Sequence, residues 1–159
     1  MTTQTESNTR GLFGLPTPEG ILGGHAEFGG TLARVATGLF LVPHGAQKLF
    51  GWFGGYGLEA TGQFFAGQLG FSNGYLAALG AGSVEFFAGL ALALGLFTRS
   101  AAIAITVMLL VASTFHFGAG FFWTNGGWEY PILWATVAFS FAFTGGGRYS
   151  LDNTFGIKY

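Results

Sequence analysis

Five ionisable side chains sit inside or at the ends of otherwise apolar runs: Arg34, His44, Lys48, Glu85 and His116. Glu129 opens another such run, with Tyr130 beside it. His44 and Lys48 are four residues apart in the stretch VPHGAQKLFGWFGG, so a helix stacks them one turn above each other. Histidine and carboxylate side chains are common proton carriers, and His, Lys and Tyr donate hydrogen bonds to oxygen acceptors. Haem ligation through His44 and His116 lacks any further ligand pattern. The spacings among His44, Glu85, His116 and Glu129 match no metal motif, so neither haem nor metal is expected. The triple glycine at 145–147 follows an apolar run instead of opening a helix, which removes a phosphate-binding loop. There is no cysteine, and with it goes thiol chemistry. An amphiphilic ligand with oxygen acceptors and an apolar tail fits these residues best. A quinone head group would accept hydrogen bonds from His44, Lys48 or His116, with Glu85 and Glu129 as proton carriers and Trp52 and Tyr130 as aromatic cover. With no redox cofactor of its own, the chain would need a partner to supply electrons.

The elements that must position these residues follow from composition. Half of the 159 residues are hydrophobic, 18% are aromatic and only 8% are charged. A soluble domain carries about 25% charged residues, so the chain reads as a membrane protein. The net charge of −1 offers no basic surface for nucleic acid. A membrane-crossing helix needs roughly 20 mainly apolar residues, and four runs qualify: 28–50, 74–97, 100–117 and 128–144, the last near the minimum length. Continuous runs without period-two alternation argue against a transmembrane barrel. Small residues within them favour close helix packing. The expected fold is therefore an all-α, antiparallel four-transmembrane-helix bundle over residues 28–145. It is flanked by a cytoplasmic or interfacial segment (1–27) and a cytoplasmic tail (146–159). Residues 1–30 show no secretory signal. The sequence YGLEATGQFFAGQLGF predicts a further short amphipathic helix in the first loop.

Arg10, Arg34, Arg99, Arg148 and Lys158 all fall on one side of this arrangement, and Lys48 alone on the other. The positive-inside rule then puts both termini in the cytoplasm, in a multi-pass protein of the inner membrane. Trp52, Trp123 and Trp128 form an outer aromatic belt with Tyr56 and Tyr130. On the first span Arg34, Gly38, Leu41, His44, Gly45 and Lys48 share one stripe, and on the second Ala78, Ala81, Gly82, Glu85, Ala88 and Gly89 share a small-residue face. Glu85 sits near mid-membrane and needs a partner. Arg34 is a candidate for a structural ion pair with it, and His44 is the other. Lys48 has the alternative of extending its ammonium to the outer headgroups.

The segments RVATGLFLVPHGAQKLFGWFGGYGLEAT, GSVEFFAGLALALGLFTRSAA and GGWEYPILWATVAFSFAFTGGGRYSLD resemble the DoxX family of small bacterial membrane proteins, over roughly residues 31–152. The positions matching the recurring pattern are Arg34, His44, Lys48, Glu85, Arg99, Glu129 and Tyr130; His116 rests on the bundle argument. The resemblance extends to DoxD, a membrane subunit of archaeal thiosulfate:quinone oxidoreductase. It implies a subunit that passes electrons into the quinone pool while partner subunits handle the soluble donor. The alternative is a non-catalytic structural or assembly subunit that docks on a larger membrane complex.

Overall fold

Glycine pairs set the main helix contact. In the computed structural model, which describes residues 25–157, the first and third helices approach so closely that four glycines become backbone-to-backbone contacts. Most of the segment 1–27, including Arg10, and Lys158 of the tail lie outside the described residues. Helix α1 spans Ala26–Phe50 and runs unbroken through Pro43 to the left-handed Gly51 (φ 71°). After a 3-10 turn, Trp52–Gly54, the short helix α2 covers Gly57–Gly67. Helix α3 covers Gly74–Leu94, and the Asn73 side chain caps its start by accepting the Leu76 N–H at 3.0 Å. Helix α4 is Thr98–Thr114, α5 is Glu129–Thr144, and a last turn, α6, is Leu151–Thr154. Every regular element among the described residues is helical. By length and composition α3 can cross a membrane, while the apolar α4 is shorter at 17 residues.

Gly38 and Gly45 of α1 are seven residues apart, and so are Gly82 and Gly89 of α3. Gly38 lies against the Gly89 carbonyl. A Cβ on Gly45 would stand 2.5 Å from the Phe86 nitrogen and 2.7 Å from the Gly82 carbonyl oxygen. The rising number on one helix meets the falling number on the other, so the pair is antiparallel. Helices α4 and α5 pack in the same sense: Arg99 donates to the Ala142 carbonyl at 2.5 Å, and Thr106 to the Ala135 carbonyl at 3.4 Å. Ala101, Ala102, Ile105 and Leu109 of α4 are buried with Ala135, Ala138 and Phe141 of α5.

The α3–α4 turn is clasped from two directions. Arg34, 1% exposed, donates from Nη1 to the Leu92 and Ala93 carbonyls (2.6 and 2.7 Å) and from Nη2 to the Tyr149 carbonyl (2.7 Å). The Leu92 and Ala93 carbonyls lie in the last turn of α3, at the negative end of its helix dipole. Asp152 accepts from the Phe97 N–H at 2.7 Å, the Thr98 N–H at 2.9 Å and the Thr98 hydroxyl at 2.6 Å. A carboxylate at the start of α4 suits the positive end of that helix. The Gly145–Gly147 bend returns the tail to this point, where Gly146 lies against Ser150 and Thr98.

Candidate functional site

A register set by glycines decides which charges can meet. Residue 34 lies level with residue 93, eight residues and roughly 12 Å along the axis from Glu85. Side chains on a helix also lean toward its N-terminus. In this antiparallel pair Lys48 and Glu85 lean toward each other, and Arg34 leans away. The expected Arg34–Glu85 pair is therefore not formed. Lys48 Nζ donates to both carboxylate oxygens of Glu85, at 2.8 and 2.7 Å. Lys48 accordingly does not extend away from the protein, the alternative weighed above; its ammonium points back onto α3.

Glu85 is buried and stands in a π-helical turn, Val84–Ala88, within α3. Such single turns insert a residue into the α-helical ladder and recur at functional sites. Here it places the carboxylate on the wall of a cavity of about 940 Å³. The cavity lies among α1, α3, α4 and α5 beneath Phe64 and Phe65 of α2. His44, Lys48 and Glu85 occupy its α1–α3 side, and His116, Tyr130 and Trp134 its α4–α5 side. The remaining lining is almost wholly apolar, with Phe40, Leu41, Phe71, Val84, Met108 and Phe115 among its members. Phe71 and Phe115 close one rim with ring centroids 5.5 Å apart.

His44 makes no hydrogen bond among the described residues and is exposed to the cavity. His116 Nδ1 lies 2.7 Å from the Gly126 carbonyl oxygen. A carbonyl can only accept, so Nδ1 carries the proton there, and Nε2 is the nitrogen left for a further partner. Aromatic contacts link this histidine to the opposite wall. Its ring is 5.6 Å from Trp123, which stacks on Tyr130 at 4.7 Å; Tyr130 meets Trp134 edge-on at 6.0 Å. Trp134 reaches Phe40 of α1 at 5.9 Å.

Two expected members stand elsewhere. Trp52 follows the left-handed Gly51, which turns the chain outward, and packs on Phe50 with centroids 5.0 Å apart. Glu129 Oε1 accepts the Trp123 N–H at 2.8 Å, tying the loop to the first turn of α5. Its carboxylate belongs to a separate cavity of about 510 Å³ on the outer side of α5. Arg34 and Arg99 serve the far end of the helices, as described above. Trp134 was missed, although it lies four residues after Tyr130 and so on the same helical face. Asp152 was missed because its partners are more than fifty residues away in sequence. Among the described residues no group of three or more His, Asp or Glu side chains is arranged to hold a metal ion.

The arrangement can seat an apolar ring among aromatic side chains and offer its oxygens an ammonium and two imidazoles. No solved structure matches the chain. An uncharacterized protein of Haemophilus influenzae is 38% identical over 79 residues, 47% of this chain and 59% of that protein. This chain thus matches less than two thirds of its relative's length. The DoxX family model matches residues 29–119, more than half of the chain, and by that match the chain belongs to the DoxX family of membrane proteins.

Proposed function

We propose that the chain is a four-span subunit of the bacterial inner membrane that binds a quinone between its helices, within an oxidoreductase or respiratory assembly. Helices α1, α3, α4 and α5 are the spans, and both termini face the cytoplasm. The support for a membrane setting is the outward apolar surface of all four: Leu32, Leu39, Leu79, Ile103, Leu133 and Phe143 are exposed. Contiguous apolar surface of this kind needs a partner, and lipid supplies it.

One observation carries the ligand assignment. The Lys48–Glu85 pair and the His44 ring stand in the wall of an otherwise apolar, aromatic-lined cavity of a size that suits a small amphiphile. The pair is internally neutral, so the head group it favours is itself neutral and rich in acceptors. A quinone carbonyl can take a hydrogen bond from Lys48 or His44, while Phe and Trp rings cover its faces. Reduction to the quinol consumes two electrons and two protons per quinone. The partner supplies the electrons, and Glu85 and His44 relay protons to the quinone oxygens.

Solvent extraction of the purified protein followed by mass spectrometry tests the reading, and the expected result is substoichiometric quinone. His44→Ala and Glu85→Gln should each lower quinone retention and binding. Unchanged binding in both variants would remove the site assignment. A quinone-free preparation with a stoichiometric membrane partner would favour the assembly-subunit alternative.

A further inference from the structure

We propose that the gap between α3 and α4 is a lateral slot for the hydrocarbon tail of the bound ligand, and that Gly80 holds it open. This deepens the quinone reading and rests on it. The first half of α3, residues 74–83, makes little contact with α4; the two helices meet from the π-helical turn onward. Between the separated halves the cavity is walled by Ala77, Gly80 and Ala81 on one side and by Val107, Val111 and Ala112 on the other. Gly80, Val107 and Val111 are also exposed, so the cavity reaches the outer surface of the helices there.

Gly80 differs from the glycines at the α1–α3 contact. Gly38 and Gly45 meet the backbone of α3, Gly82 meets Leu49 and Lys48, and Gly89 meets the Gly38 carbonyl. A Cβ on Gly80 would meet nothing within 4 Å, and its backbone is ordinary right-handed helix. Neither packing nor conformation therefore calls for glycine, which weakens a helix relative to alanine. Clearance for a ligand explains it. Gly80 is five residues from Glu85, roughly 7.5 Å along the axis. A head group at Lys48 and Glu85 thus has its tail leaving past Gly80, between Val107 and Val111, into the surrounding hydrocarbon. A head bound this way is exchanged sideways with the bilayer, and tail bulk becomes a determinant of specificity.

The test uses the full chain in nanodiscs, with quenching of tryptophan fluorescence as the readout, since Trp123 and Trp134 line the cavity. The probes are decylubiquinone and its tail-less benzoquinone head. Gly80→Phe should weaken binding of the tailed probe by about tenfold or more, comparable to roughly two methylenes losing their burial. The tail-less head should change by less than about twofold. Gly80→Ala, whose methyl group enters open space, should keep the helical circular dichroism of the parent and show a smaller loss in the same direction. Equal loss of both probes, or unchanged binding of both, overturns the slot while leaving the quinone reading in place. Failure of the unmutated protein to bind either probe overturns both.

Discussion

Lys48 and Glu85 share two hydrogen bonds, at 2.8 and 2.7 Å, and their worth depends on which of them is removed. Taking away one partner leaves a charge in an apolar cavity, and losses of this kind are about 3 kcal/mol or more. Lys48→Met should therefore lower the thermal unfolding midpoint in detergent, and Glu85→Met should do so as well. The double variant should recover most of the loss, because apolar replacement of a whole buried pair is often neutral. A double variant that melts as low as the sum of the singles would show that the pair is not the unit of stability. At the far end of the helices Asp152 accepts three hydrogen bonds from the start of α4. Asp152→Ala should cost about 2 kcal/mol, at the upper end for loss of a helix N-cap. Asp152→Asn should cost less, and chemical denaturation of the two variants checks the order.

The helices themselves make opposite demands on their glycines. Replacing glycine by alanine inside a helix ordinarily stabilises it by about 0.5–1 kcal/mol. Gly45→Ala should do the reverse, because its Cβ would stand 2.5 Å from the Phe86 nitrogen. Gly80→Ala should follow the ordinary rule, and thermal melts of the two variants should shift in opposite directions. Much of this level was legible in the sequence. Apolar run length placed α1, α3, α4 and α5 to within about three residues at each end, because backbone groups in an apolar setting leave few alternatives to a helix. The small-residue face of α3 and the stripe on α1 were legible too, from residue spacing. Register was not. Arg34, His44 and Lys48 all lie on the α1 face that meets α3, and only the Gly38–Gly89 and Gly45–Gly82 contacts decide which of them meets Glu85. The π-helical turn at Val84–Ala88 left no mark in the pattern. Trp52 and Glu129 stand outside the cavity lining, Trp52 because the chain turns at the left-handed Gly51 and Glu129 because its carboxylate turns back to the Trp123 N–H, and helical spacing shows neither.

For the molecule as a whole, two clusters of charge sit at opposite ends of one helix pair: Arg34 with Asp152 at one, Lys48 with Glu85 at the other. The four spans proposed above would place the Tyr56 and Phe155 positions on opposite sides of the membrane. The chain has no cysteine, so single cysteines introduced at these two exposed sites report topology without background. An impermeant maleimide applied to cells with an opened outer membrane should label Tyr56→Cys. It should reach Phe155→Cys only after the inner membrane is breached. Labelling of both from outside would contradict the three proposed spans between them.

The Asp152 cap also has a consequence for the order of assembly. Its carboxylate is joined to Thr98 across 54 residues of chain, so the α3–α4 hairpin leaves the ribosome well before the group that fastens it exists. Until residue 152 emerges, water or lipid headgroups must stand in at that turn. Arg34, made long before either, already waits for the ends of both α3 and the tail. The α3–α4 hairpin is thus latched last, by the short helical turn α6, although its two helices are made well before it.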